Sequence, residues 1–207
     1  MNELVMRLLD AGFGHPRGIL GRIGGTLMAL GNGEQERWAI DAAGLKPGQR
    51  VLEVGPGPGL GLRLAAGQVG PRGHVLGIDP SPLMRQMATA RCAALVAAGV
   101  VELAEGTAER TGGATSSVDA AISVNNIMLW DRPAGLAELA RVLRPGGRLV
   151  VTVHRHVLGV EPAVLGDEAR RAGFTDVRVA IRPRQFNAPK VELLALRPAP
   201  SPSPEQP

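Results

Sequence analysis

The sequence predicts an α/β fold, a doubly wound sheet of seven mostly parallel strands with helices on both faces. Three observations predict it. Beyond residue 48, short apolar runs of strand length alternate with stretches of helical periodicity, the pattern of a mostly parallel sheet covered on both sides. A glycine-rich run, Gly55-Pro56-Gly57-Pro58-Gly59, directly follows the first apolar run. An acid, Asp79, closes the second. The 207 residues leave room for one such domain and a short appendage.

The elements follow in order. Residues 1–47 read as helical pieces broken by glycine, with apolar stripes at Leu4, Val5, Leu8 and Leu9 and at Ile19, Leu20, Ile23, Leu27 and Met28. A turn-rich joint, Phe13-Gly14-His15-Pro16-Arg17-Gly18, separates the two, and a third helix carries Glu36, Trp38, Ala39 and Ala42 before stopping near Gly44. The first strand is Val51–Val54, and a helix through Leu62, Leu64 and Val69 follows the glycine run. The second strand is Val75–Ile78. Ser81-Pro82 then has N-cap and N1 chemistry, and in the helix it starts Met84, Ala88, Cys92 and Leu95 share one face. Strands Val100–Leu103 and Val118–Val124 come next. A helix with Leu136, Leu139, Ala140 and Leu143 on one stripe is stopped by a turn at Pro145-Gly146-Gly147. Strand Arg148–Val153, a short helix over Glu161–Ala172, and strands Asp176–Ile181 and Val191–Leu196 complete a domain spanning 48–197. Residues 198–207, rich in proline and serine, have the composition of a disordered tail.

Composition narrows the classes. Apolar residues make up 44% and charged ones 20%, values of a globular chain rather than a disordered one. No apolar run approaches the ~18 residues of a membrane span. Met1-Asn2-Glu3 lacks the basic start of a secretory leader, and the single Cys92 cannot form an internal disulfide, so a cytoplasmic location is expected. The formal charge is +4, but the arginines are scattered rather than interleaved with aromatics, so no nucleic-acid groove is expected. Tyrosine is absent, which removes it as an acid, base or stacking group.

Ligands of doubly wound sheets sit beyond the carboxyl ends of the strands, where strand order reverses. A glycine turn there lets a ligand approach backbone N–H groups without meeting a Cβ. Asp79, 20 residues beyond Gly59, is placed to accept both hydroxyls of a ribose, which points to a nucleoside. The dinucleotide fingerprint G-x-G-x-x-G/A fails in both frames, because its third position is Leu60 or Leu62. The run is instead acid-x-Gly-x-Gly-x-Gly with Glu53 in front, which suits a ligand presenting an amino acid end and a ribose. The bland alternative is a tight strand-to-helix turn that holds nothing.

Glu53-Val54-Gly55-Pro56-Gly57-Pro58-Gly59 resembles motif I of the class I S-adenosylmethionine-dependent methyltransferases. Gly77-Ile78-Asp79-Pro80-Ser81-Pro82-Leu83-Met84 resembles the ribose-binding segment of that family, Leu143-Arg144-Pro145-Gly146-Gly147-Arg148-Leu149 its later helix–turn–strand signature, and Ala172-Gly173-Phe174 the lead into its sixth strand. The resemblance implies a Rossmann-like fold, with S-adenosyl-L-methionine as cofactor and S-adenosyl-L-homocysteine as product. It implies that Gly55, Pro56, Gly57 and Gly59 line the methionine portion, with Glu53 near its amino group. Asp79 would then bind the ribose, and Pro80 and Met84 would flank the adenine. Within Gly106-Thr107-Ala108, Thr107 stands where the family often has an acid, which leaves adenine recognition to the Ala108 backbone, the Thr107 hydroxyl or Glu109. Asn125 is assigned to the cofactor, and Asn126 and Trp130 to the substrate; the alternative is that one asparagine only satisfies loop backbone.

Methyl transfer from a sulfonium asks the protein chiefly to position the acceptor and exclude water. A base is needed only where the acceptor must lose a proton. The acceptor is expected over the ends of the fourth and fifth strands. If the extended conformation persists, His154 and His156 share a face there. His154 is the first candidate base, followed by His156 and by His15; each has a bland reading as a solvated strand end or a turn residue. No metal is expected, since no matching acid cluster accompanies His156. The stretch from His154 to Phe174 is too short for a substrate-binding insertion, so residues 1–47 are expected to form the lid, with Phe13, Met28 and Trp38 as lining. That lid predicts a small, fairly hydrophobic acceptor, methylated on oxygen, nitrogen or carbon. The rival reading is a catalytically inactive cofactor-binding module of regulatory or structural role; a nicotinamide oxidoreductase is disfavoured by the glycine spacing. No nucleic-acid partner and no membrane span are expected, and a homodimer stays open.

Overall fold

In a computed structural model, which describes residues 33–183 and 189–199, a helix (α1) runs through residues 33–43. The remaining helices are α2 (Leu60–Val69), α3 (Pro82–Arg91), α4 (Ala93–Ala97), α5 (Arg132–Val142) and α6 (Pro162–Arg171). The strands are β1 (Arg50–Val54), β2 (His74–Ile78), β3 (Val101–Ala104), β4 (Val118–Val124), β5 (Leu143–His154), β6 (Thr175–Arg182) and β7 (Lys190–Leu196). They form one sheet in the order β3-β2-β1-β4-β5-β7-β6. The first five are parallel; β7 runs antiparallel to both its neighbours. Strand order reverses at the β1–β4 pair, so the carboxyl ends of these two strands open the crevice in which such sheets bind ligands.

Alternation along the strands divides the core into two layers. On one face Val51, Val75, Ile122 and Val150 pack with Leu62, Ala65 and Val69 of α2 and with Ala39, Ile40 and Ala43 of α1. On the other, Leu52, Ala121, Leu149 and Val151 pack with Leu136 and Leu139 of α5 and Leu165 of α6. Each fully buried Leu, Ile or Val contributes on the order of 2 kcal/mol. Residues 33–43, read from sequence as part of the lid, are therefore built into the same core as α2. Phe13, His15 and Met28, with residues 1–32 of that lid, lie outside the described residues, as does the tail from residue 200.

Local chemistry sets the boundaries. Ser81 caps α3 by accepting from the Met84 N–H at 3.4 Å, with Pro82 in the first turn. Met84, Ala88 and Cys92 are buried, as their shared stripe requires, although the helix breaks at Cys92 and resumes as α4. Asp131 caps α5 through the Ala134 N–H at 3.2 Å.

Two expectations are corrected. Pro145-Gly146-Gly147 does not separate helix from strand but lies within β5, where the register with β4 shifts between Val118 and Ala120. The Gly146 N–H donates to the Arg197 carbonyl at 2.8 Å and the Arg197 N–H to Gly147 at 2.9 Å, so the chain after β7 supplies partners that local sequence does not reveal. At the other end β5 stops at His154, and Arg155–Val157 form a 3-10 turn. His156 is therefore not carried on the strand face, and the turn leaves it exposed with its ring centroid 5.6 Å from that of His154. No helix of the described residues is long and apolar enough to cross a membrane.

Candidate active site

The buried run Val51–Val54 anchors the turn that follows it. The Gly55 N–H donates to the Ile78 carbonyl at 2.9 Å, tying the turn to the end of β2. Gly57 and Gly59 both lie in the left-handed region, at φ +51 and +84. Their surroundings differ. A Cβ on Gly59 would meet Ala88 Cα of α3 at 2.9 Å, whereas nothing lies within 4 Å of the place a Cβ on Gly57 would take. The turn delivers the chain into α2, whose N-terminus has no side-chain cap, leaving N–H groups of the first turn for another partner.

Asp79 closes the far side of the turn and is 7% exposed. Its carboxylate accepts from the Ser81 N–H at 2.8 Å and from the Gly57 backbone. Burial raises its pKa, opposed by those two N–H groups and by the charge of Arg85. Arg85 donates to the Asp79 carbonyl at 2.6 Å and pairs with Glu105 at 3.1 Å. Pro80 beside it is exposed, while Met84 is turned into the core. Beyond β3, Gly106 leads into a tight turn in which Thr107 and Arg110 exchange backbone hydrogen bonds of 3.2 Å, with Ala108 buried between them. The Glu109 carboxylate accepts from the Asp131 N–H at 2.8 Å, which ties it to the start of α5.

Glu53 points from β1 toward α1 and is 1% exposed; Glu36, on α1, is 8% exposed. The two carboxylates meet over Gly61, where a Cβ would stand 2.2 Å from Glu53 Oε1 and 2.6 Å from Glu36 Oε2. Neither Oε2 has a hydrogen-bond partner. Burial pushes the Glu36 pKa up to about 8. Burial and the neighbouring Glu36 charge hold Glu53 well above the usual carboxylate range.

At the end of β4, Asn125 adopts φ +52 and its side chain joins three elements. Its Oδ1 accepts from the His154 N–H at 2.9 Å, and its Nδ2 donates to Gln35 Oε1 at 2.9 Å. Gln35 Nε2 reaches Thr152 Oγ1 at 3.3 Å. Asn125 thus holds the backbone at the end of β5. Asn126 accepts from Trp130 Nε1, and its amide covers Gly55, where a Cβ would stand 2.2 Å from Nδ2. Trp130 in turn lies against Gly135 of α5, near Ala108. His154 ends β5, half-buried, in register with Lys190 of β7. Lys190 Nζ stands 4.9 Å from the Trp38 ring centroid and 3.1 Å from Glu192 Oε1. Trp38, read from sequence as substrate lining, carries a buried ammonium on its face.

Sequence reasoning missed Gln35, Glu36, Arg85, Thr152, Lys190 and Glu192. Gln35 and Glu36 lie in the polar run from Glu34 to Arg37 at the start of α1, where no local signal separates the buried members from the exposed ones.

A family model described as a methyltransferase domain matches residues 51–147. The uncharacterized methyltransferase YdaC of Bacillus subtilis (strain 168) is 31% identical over 179 residues, covering 83% of this chain and 93% of that one. The chain belongs to the class I S-adenosylmethionine-dependent methyltransferases. The nocamycin O-methyltransferase of Saccharothrix syringae is 30% identical to this methyltransferase over 199 residues, 76% of this chain and 70% of that one. Other relatives are longer, and the chain spans 32% of one and 46% of another. In three dimensions the methyltransferase resembles a SAM-dependent methyltransferase from Aquifex aeolicus with a TM-score of 0.66 and 21% identity, over 78% of this chain and 88% of that one.

Proposed function

We propose that this methyltransferase transfers the methyl group of S-adenosylmethionine to a small, fairly hydrophobic acceptor in the cytoplasm, on oxygen, nitrogen or carbon. The observation that carries the reading is the open face of Gly57 beside the buried Asp79 carboxylate. Lone pairs of Asp79 beyond those given to Ser81 and Gly57 would take ribose hydroxyls. The uncapped start of α2 and the unpartnered oxygen of Glu53 fit the carboxylate and ammonium of an amino acid end. Gly106, Thr107 and Ala108 would border the adenine with Pro80. The bound cofactor supplies an activated, positively charged methyl donor.

The chain's own residues position the acceptor and keep water out. Asn125 fixes the backbone of His154, whose imidazole would remove the proton of a hydroxyl acceptor, with His156 beside it. Asn126 and Trp130 would border the acceptor. Two features support a small acceptor: only a short connection joins β5 to α6, without room for a docking insertion, and one relative bears the name nocamycin O-methyltransferase. Labelled-methyl transfer from S-adenosylmethionine tests this across a panel of small phenols, enols and amines, set beside tRNA and protein. Turnover is expected with small acceptors, and His154→Ala should lower kcat about 100-fold on a hydroxyl acceptor while cofactor affinity holds. Labelling of macromolecules alone would overturn the reading.

A further inference from the structure

We infer that Glu36 and Glu53 together form a two-carboxylate receptor for the ammonium of the cofactor's amino acid end, and that a proton held there in the free protein leaves as the cofactor enters. This rests on the reading that S-adenosylmethionine lies along the glycine turn.

The fold builds the pair deliberately. Glu53 sits on the face of β1 that α1 covers, and α1 is fixed there by Ala39, Ile40 and Ala43 in the core and by Gln35 bridging to Asn125 and Thr152. That seating brings Glu36 in front of Glu53. Gly61, in the first turn of α2, leaves the space; any side chain there would overlap both carboxylates. The pair therefore flanks the Gly55–Gly59 turn, with Glu53 two residues before it on β1 and Gly61 two residues beyond it.

Its electrostatics are incomplete. A buried carboxylate without a partner costs several kcal/mol, and a second one close by adds repulsion. Among the described residues no ion pair reaches either acid. Arg37 on α1 and Arg63 on α2 are exposed and form no ion pair with them. The other titratable group beside Glu53 is the Cys92 thiol, which donates to the Gly59 carbonyl at 3.5 Å and brings no positive charge. Both Oε2 atoms are left without a partner although each residue is more than nine-tenths buried. Such a pair is satisfied either by retaining a proton or by accepting a cation. An ammonium, compact and with three N–H donors, supplies the charge and reaches both acids at once. On its arrival the retained proton passes to solvent, so the site exchanges one positive charge for another.

The test is calorimetric titration with S-adenosylhomocysteine from pH 6 to 8.5, in buffers of different ionisation enthalpy, beside 5′-methylthioadenosine, which shares the nucleoside but lacks the amino acid end. The expected result is release of about one proton per S-adenosylhomocysteine near pH 7, with affinity rising up to about tenfold per pH unit and levelling near pH 8. 5′-Methylthioadenosine should bind with no release and no pH slope. Glu36→Gln should weaken S-adenosylhomocysteine at least about tenfold at pH 8.5, and Glu36→Gln combined with Glu53→Gln should abolish the slope, both leaving 5′-methylthioadenosine unchanged. Absence of proton release in the wild-type protein overturns the inference without any variant. So does release that persists when both acids are glutamine, or equal release with 5′-methylthioadenosine; in each case cofactor binding itself stands. No binding of S-adenosylhomocysteine at any pH overturns the inference together with the function on which it rests.

Discussion

Alanine at Gly57 and alanine at Gly59 should separate binding from stability, although only Pro58 divides them in the same turn. Both positions are left-handed, so each substitution costs about 1–2 kcal/mol in backbone conformation. Gly57→Ala incurs little else, because its new methyl enters open space. Gly59→Ala drives its methyl to 2.9 Å from the Cα of Ala88, a backbone atom that cannot turn aside. Overpacking of that kind adds about 1–3 kcal/mol, for a total of about 2–5 kcal/mol. In a chain of this size 1 kcal/mol moves Tm by about 2–4 °C. Thermal unfolding should therefore drop by about 2–8 °C for Gly57→Ala and by about 4–20 °C for Gly59→Ala. Calorimetric titration with S-adenosylhomocysteine should rank the two differently: the Gly57→Ala methyl occupies the space assigned to the cofactor and should weaken binding at least about tenfold, near 1.4 kcal/mol. A folded Gly57→Ala protein that binds S-adenosylhomocysteine as well as wild type would refute the assignment of that open face to the cofactor.

Stability should also depend on pH in two opposite ways. Glu36, raised to about 8, and Glu53, raised with it, keep protons that the unfolded chain gives up above about pH 4.5, so the free protein should lose stability as pH rises from about 5 toward 8. The slope is about 1.4 kcal/mol per pH unit for each proton retained, and Glu36→Gln should unfold at a higher temperature than wild type at pH 8, read by scanning calorimetry. Glu138 is held down to about 2, chiefly by the Arg141 guanidinium at 2.7 and 2.8 Å, with help from the Thr111 hydroxyl and N–H. Its contribution is present above about pH 4.5 and is lost as pH falls toward 2. Glu138→Gln should flatten that acid limb and lower Tm at pH 7 by a few degrees, about 1–2 kcal/mol, measured by circular dichroism.

The strands and the glycine turn were legible because their signals are local. Val51–Val54 is apolar and short, Gly55 to Gly59 follow at once, and Ser81-Pro82 announces a helix within its own first turn. The bulge in β5 was not legible, because Pro145-Gly146-Gly147 carries every local mark of a turn while its pairing comes from Arg197, some fifty residues later. His156 failed for the opposite reason: alternation was extended past His154, where the chain coils into a 3-10 turn. The polar half of the site is tertiary throughout. Gln35 meets Asn125 and Thr152 across separations of 90 and 117 residues, and no spacing within α1 distinguishes a glutamate bound for solvent from one bound for the buried side of β1. Trp38 was read as lid lining, because its partner Lys190 lies at the other end of the chain.

Everything assigned to the site depends on a ribose held by the carboxylate that ends β2. Titration of S-adenosylhomocysteine into wild type and Asp79→Asn measures this most directly, since asparagine keeps an oxygen for the Ser81 N–H but gives up the negative charge. Saturable binding to wild type, weakened about tenfold or more in Asp79→Asn, is the predicted result. Equal affinity in the two proteins, or none in the wild type, would contradict it.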